Sequence, residues 1–161
     1  MKTKKITRVL IAMDYSPTSQ KVAEEGYTLA KSMDAEVILL HVAIDPIFYS
    51  HTEYSPIVGF TGNLDIAPLQ KNSVELVINE SQNFLDKSKI HLGDEAIQTV
   101  VKEGDFADSI IETAKDLHVD LIVMGSHSHR WLDEILMGSV TEKVLHQTTI
   151  PLYIIPTKKL K

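Results

Sequence analysis

Residues 119–140 read VDLIVMGSHSHRWLDEILMGSV, and this stretch combines the patterns of a strand, a loop and the start of a helix. Leu121 to Met124 are all apolar, which predicts a strand that is buried on both faces near the centre of a sheet. Gly125 follows at the predicted strand end, and Gly138 and Ser139 stand where the next helix should begin. Free N–H groups at a helix start, together with a small glycine backbone, can hold a phosphate group. The same residues also suit a plain glycine turn with a serine N-cap, so this stretch alone leaves both interpretations open.

Strand and helix patterns alternate along the rest of the chain. Short apolar runs predict buried strands at Val9 to Met13 and at Val37 to Val42. Ala96 to Val101, with interleaved polar residues, and Leu152 to Ile155, behind a proline, predict edge strands. Amphipathic helical patterns separate these runs. The sequence therefore predicts a doubly wound α/β fold, in which five parallel strands carry helices on both faces.

Ligands of such sheets bind outside the carboxyl ends of the strands, where the strand order reverses. This rule points to three loops, at Asp14 to Pro17, Val42 to Pro46 and Gly125 to Ser139. Ser16, which precedes a proline, is expected to be the N-cap of the first helix. His41 lies within an apolar run, and we expect the backbone to satisfy its ring rather than a ligand.

Length and composition limit the possible functions. A chain of 161 residues, 43% of them hydrophobic, predicts one domain over residues 1–161 with a long variable loop at about 44–67. The net charge of −6 disfavours non-specific binding to nucleic acid or to an anionic membrane. No apolar run approaches the ~18 residues of a membrane span. The absence of cysteine excludes disulfides and thiolate chemistry, and a cytoplasmic location is expected.

The motifs together resemble those of the universal stress protein family, whose domains have strand order 3-2-1-4-5. Nucleotide-binding members carry two spaced glycines and then glycine followed by Ser or Thr. Gly125, Ser128, Gly138 and Ser139 occupy those positions, and only Ser128 departs from the pattern. The resemblance covers nearly the whole chain, through Val9 to Asp14, Leu39 to Val42, Gly104 to Ala107 and Asp120 to Pro156.

The resemblance implies a nucleotide site built from the loops named above. Its residues are Asp14, Val42, Gly125, Ser126, Ser128, Gly138, Ser139 and Val140. Those that match Asp14 and Gly125 lie near the ribose in the family, and the one that matches Val42 meets adenine through its backbone. The residues that match 138–140 meet phosphates. Asp14 has a second interpretation as a turn former after a strand, and a β-carbon at Ser128 would weaken phosphate contact.

The expected function is a stress-response regulatory protein that binds ATP or AMP, with or without Mg²⁺, and forms a homodimer through its last strand. The alternatives are a dimeric interaction scaffold with an empty cleft and a slow ATPase. A Gly-x4-Gly-Lys-Ser/Thr loop and a Gly-x-Ser-x-Gly elbow are both absent, and no catalytic residue is predicted. His127 and His129 could form a metal pair, but solvated loop histidines are the favoured interpretation. No metal site is predicted, and the protein partner is unknown.

Overall fold

The computed structural model describes residues 1–43, 66–126 and 137–157, with the side chains of the second range described from Val74 onward. Five parallel strands form one sheet in the order β3-β2-β1-β4-β5. The strands are β1 Arg8–Met13, β2 Glu36–Ala43, β3 Gln98–Glu103, β4 Leu121–Gly125 and β5 Leu152–Ile155. Both the doubly wound α/β prediction and the strand order implied by the resemblance are confirmed.

Four described helices pack on the two faces of the sheet. They are α1 Ser19–Ser32, α2 Ile66–Leu92, α3 Phe106–Asp116 and α4 Ser139–Gln147. Val22 of α1 and Leu85 of α2 belong to one buried cluster with Ile11 of β1. Ile110 of α3 and Val144 of α4 belong to the other. Because side chains alternate between the faces of a strand, β1, β2 and β4 supply apolar residues to both clusters.

The start of α1 differs from the prediction. Its N-cap is Thr18, and the helix begins at Ser19, so the expectation that Ser16 caps it is wrong. The backbone N–H of Ser16 donates to Asp14 Oδ1, and its carbonyl accepts from Ser19 N–H. The Ser16 hydroxyl lies 3.0 Å from that of Thr18. These bonds use the polar groups of Ser16 in a turn that precedes the helix.

The start of the third strand also differs from the prediction. The third strand begins at Gln98 rather than Ala96, because the backbone N–H groups of Ala96 and Ile97 both bond to Asp94 in a turn. The helix α2 begins at Ile66, near the end of the long variable loop expected at about 44–67. The remainder of that expectation lies outside the described residues. None of the described helices combines the length and apolarity needed to cross a membrane.

Asp120 ties the N-terminal segment to the start of β4. Its carboxylate accepts bonds from the Lys4 ammonium at 2.9 Å, from Thr7 N–H at 2.9 Å and from the Thr7 hydroxyl at 2.8 Å. Its side chain is only 12% exposed. The Lys4 ammonium and then the two Thr7 donors hold the pKa of Asp120 well below its usual range.

Asp120→Asn should therefore lower the free energy of unfolding at pH 7 by about 1–2 kcal/mol, because charge-assisted bonds are lost. A depressed pKa in the folded state stabilises the fold above the ordinary carboxyl pKa of ~3.9, and this contribution disappears as pH falls further. Stabilities from urea titrations of the two proteins should thus begin to approach each other below about pH 4 and coincide only once the pH has fallen through the depressed folded-state pKa. Asp116→Asn, at the exposed end of α3, is the matched control and should change stability by less than about 0.5 kcal/mol. Equal losses in both variants would contradict the assignment.

Candidate functional site

A crevice is expected where β1 and β4 part. The two strands are neighbours, but their last paired residues are Ile11 and Val123, whereas β1 continues to Met13 and β4 to Gly125. The chain leaves β1 toward β2 on one side of the sheet and leaves β4 toward β5 on the other. Such a reversal of strand order opens a cleft at the carboxyl ends of the strands.

Asp14 follows β1 at this position and is half-buried. Its Oδ1 accepts the Ser16 backbone N–H at 2.9 Å, which is the turn-forming bond that the second interpretation of Asp14 predicts. This bond also orients the carboxylate. The turn role and a ribose role are compatible, because a carboxylate has two oxygens that accept bonds.

Tyr15, the residue after Asp14, packs in a cluster of aromatic rings. The Tyr15 ring centroid lies 4.4 Å from that of His41 and 4.9 Å from that of Phe84 on α2. The Tyr15 hydroxyl is 3.0 Å from Ser81 Oγ, which is fully buried on α2. The Tyr15 hydroxyl is thus the polar partner of Ser81, which lies on the buried face of α2.

His41 completes the anchoring of this turn. Its Nδ1 lies 2.9 Å from the carbonyl oxygen of Met13, and because a carbonyl only accepts, Nδ1 carries the proton. Burial lowers the pKa of His41, and the bond to Met13 and the charge of Asp14 oppose that shift. The expectation that the backbone satisfies this histidine is confirmed.

Val42 lies one residue beyond the last β1–β2 pair, which joins Met13 to His41. It still pairs with Lys102 of β3, and its side chain is buried in the cluster with α3 and α4. The backbone of Val42 is therefore beyond the β1 ladder at the level of Asp14. A contact made through its backbone rather than its side chain fits this position.

Gly125 and Ser126 connect β4 to α4 through hydrogen bonds. The Ser126 carbonyl accepts the Gly138 N–H at 2.7 Å, and the Gly125 carbonyl accepts the Thr141 hydroxyl at 2.9 Å. A β-carbon on Gly125 would lie 3.0 Å from methyl carbons of both Thr157 and Val22. Close packing thus gives a reason for glycine at 125 that is independent of any ligand.

The N-terminus of α4 is the third part of the predicted site, after the turn at Asp14 and the backbone of Val42. Gly138 is the N-cap, with φ −68°, and the first helical bond runs from Glu142 N–H to the Gly138 carbonyl. The N–H groups of residues 139–141 therefore precede the helical bonding pattern. Ser139 is exposed and Val140 half-buried. The Gly138 N–H, in contrast, is already engaged by Ser126.

One predicted site residue, Ser128, falls outside the described residues, as do His127 and His129. Over the described ranges, no cluster of three or more metal-ligating side chains occurs.

Sequence reasoning missed the groups that brace this region. Lys143 stands one turn beyond Ser139 on α4, and its ammonium lies 3.0 Å from Asp105 and 3.4 Å from Asp108. Asp105 is the N-cap of α3. The hydrogen bond that Lys143 donates to Asp105 is the largest of the effects that raise the pKa of Lys143. The position of Lys143, four residues after Ser139, is the sequence signal that could have identified it. Its acidic partners could not be inferred in this way, because they lie at the start of a different helix.

This architecture defines the class as a doubly wound α/β domain with the strand order β3-β2-β1-β4-β5. A family model described as "Universal stress protein family" matches residues 5–156, and the chain belongs to that family. The universal stress protein MJ0577 of Methanocaldococcus jannaschii is 30% identical over 155 residues, which cover 94% of this chain and 95% of that protein. The solved structure of MJ0577 aligns with a TM-score of 0.74 and 25% identity, covering 98% of this chain and 100% of that one.

Two nucleotide complexes share the fold at lower identity. A universal stress protein in complex with cAMP aligns with a TM-score of 0.59 and 17% identity, covering 96% of this chain and 100% of that one. The Archaeoglobus fulgidus universal stress protein in complex with dAMP aligns with a TM-score of 0.53 and 14% identity, covering 94% and 98%.

Tyr15→Phe tests the aromatic anchor. The change keeps the ring contacts but leaves the buried Ser81 hydroxyl without the Tyr15 oxygen, so the free energy of unfolding should fall by about 1 kcal/mol in urea titrations. Tyr153→Phe, on the exposed side of β5, is the control and should leave stability unchanged. An equal effect of both variants would show that the Tyr15–Ser81 bond contributes nothing.

Proposed function

We propose that this universal stress protein binds adenine nucleotides at the β1–β4 crevice and acts as a regulatory homodimer. The observation that carries the proposal is the convergence of Asp14, the Val42 backbone and the start of α4 at the carboxyl ends of three neighbouring strands. These groups offer a carboxylate for ribose hydroxyls, backbone groups for adenine and N–H donors for phosphate. Relatives of the same fold in complex with cAMP and dAMP support an adenine nucleotide.

The site-residue assignment is part of this proposal. We assign the ribose to Asp14 and Gly125, adenine to the Val42 backbone, and phosphates to Gly138, Ser139 and Val140. Ser126 and Ser128 belong to the same connection between β4 and α4. ATP or AMP, with or without Mg²⁺, are the proposed ligands, and the whole chain is proposed to act as one cytoplasmic domain.

A second candidate function is a scaffold that uses the same fold without nucleotide. The engagement of Gly138 N–H by the Ser126 carbonyl favours it, because that donor would have to exchange partners to reach a phosphate. The family's glycine is also replaced at Ser128.

Nucleotide titration separates the two functions. ATP and AMP should raise the melting temperature, whereas GTP should not. A ligand at one hundred times its Kd adds about 2.7 kcal/mol, which corresponds to a shift of several degrees in a domain of this size. Calorimetric titration with ATP, ADP and AMP, each with Mg²⁺ or EDTA, gives the affinities. The absence of heat at millimolar nucleotide would support the scaffold.

Asp14→Asn tests the proposed contact between the Asp14 carboxylate and the ribose. Asparagine can still accept the Ser16 N–H, so the turn is kept while the negative charge is lost. Affinity for both ATP and adenosine should fall about tenfold, equivalent to about 1.4 kcal/mol. Asp116→Asn removes an exposed charge elsewhere and should leave both affinities unchanged.

The dimer is proposed to form through β5. This strand is an edge of the sheet, and Tyr153 is 45% exposed on it. Pairing with the same strand of a second copy would cover the free backbone groups and produce a symmetric interface.

Ile154→Lys places a charge on this edge and should shift the protein toward monomer at micromolar concentration in light scattering. Ile90→Lys is the control, since Ile90 is 76% exposed on α2 and lies on a different element. A wild-type monomer, or the same shift in both variants, would contradict the interface.

A further inference from the structure

The chain beyond β5 is tied to the end of β4 by paired hydrogen bonds. The Thr157 backbone N–H donates to Ser126 Oγ at 3.0 Å, and the two side-chain hydroxyls lie 3.2 Å apart. The Ser126 N–H donates in turn to the Ile155 carbonyl at 2.9 Å. Both side chains are buried, with residue exposures of 8% for Ser126 and 7% for Thr157. Buried hydroxyl bonds of this kind restrict the backbone conformation of Ser126.

The bonds of Ser126 continue into α4. Its carbonyl accepts the Gly138 N–H at 2.7 Å, and Gly138 is the N-cap of that helix. A continuous path therefore runs from Thr157 through Ser126 to the first residues of α4. These three residues are distant in sequence, so the path exists only in the folded protein.

Thr157 is itself held from a second direction. Lys21 of α1 donates from Nζ to the Pro156 carbonyl at 2.9 Å, immediately before Thr157. The Thr157 methyl group lies against Gly125, where an added β-carbon would come within 3.0 Å of it. The methyl group and the polar groups of Thr157 thus contact successive residues of the β4 end.

We infer that Thr157 is a positioning residue that acts through Ser126 to fix the start of α4 relative to β4. The part of this inference that concerns ligands rests on the proposed nucleotide function. Thr157 touches no nucleotide in this assignment. Asp14 follows β1 and Val42 lies on β2, and both are anchored independently through His41 and Tyr15. A variant that keeps the Thr157 methyl group also keeps the contact with Gly125, so the loss of the hydroxyl alone should affect only the phosphates.

The same path links the ligand site to the proposed dimer edge. The Ile155 carbonyl that accepts the Ser126 N–H belongs to the last residue of β5.

Hydrogen exchange of the Gly138 amide tests the positioning role without any ligand. Thr157→Val removes the hydroxyl but keeps the branched shape, and Ser126→Ala removes the acceptor of the Thr157 N–H. Both variants should accelerate exchange of the Gly138 amide at least threefold at pH 7. The free energy of unfolding of each variant is measured in parallel by urea titration at the same pH. Thr157→Ser keeps the hydroxyl, and its Gly138 amide should exchange at the wild-type rate. Thr149→Val, at an exposed threonine, is the matched control.

Titrations with ATP and adenosine complete the experiment. ATP affinity should fall three- to tenfold in Thr157→Val, and adenosine affinity should stay within twofold. Unchanged Gly138 exchange in Thr157→Val would overturn the inference whatever the nucleotide results. Equal losses for ATP and adenosine would overturn its restriction to phosphates. If the wild type binds neither ligand, the proposed function fails, while the exchange data still decide whether Thr157 positions α4.

Discussion

The incomplete pairing of β1 with β4 is the constraint on which the site depends. The strands pair through Ile11 and Val123 and then separate, each continuing for two further residues. Parallel strands that belong to opposite halves of a doubly wound sheet send their connections away from each other. The turn at Asp14 and the connection to α4 therefore border one space.

Close approach of α1 keeps these two strands together. A β-carbon on Gly26 would lie 2.9 Å from Ile11 Cδ1 and 3.0 Å from Val123 Cγ1, so the absence of a side chain lets the helix contact both strands. Gly125 has the same relation to Val22 of α1. The helix thus packs against both strands, and the turn that precedes it contains Asp14 and Tyr15.

Two separate sets of polar bonds brace the rim of the crevice. Tyr15, His41 and Ser81 hold the turn after β1 from the α2 side. Ser126 and Thr157 hold the end of β4 from the β5 side. Each set buries hydroxyl or imidazole groups that are costly to leave unpaired, so each resists displacement of the backbone that it supports. A ligand that contacts both rims would meet groups that are already oriented.

Much of the fold could be predicted from the sequence because its signals are local. The apolar run at Leu121 to Met124 predicted a central strand, which is confirmed. Gly104, whose φ is +118°, lies in the turn that separates β3 from α3, where glycine is favoured. Asp105 follows it as the N-cap. The order of the strands came from the resemblance of the motifs to a known family, since periodicity does not state which strands are neighbours.

The alternation of strands and helices could be predicted from the sequence, because burial on one or both faces leaves a periodic pattern of apolar residues. The partners of the hydroxyl groups could not, because they are set by the tertiary structure. Ser126 and Thr157 are 31 residues apart, and Tyr15 and Ser81 are 66 apart. A hydrogen bond requires two atoms to meet within a few tenths of an ångström. That condition depends on the packing of whole helices and strands, which no local pattern records.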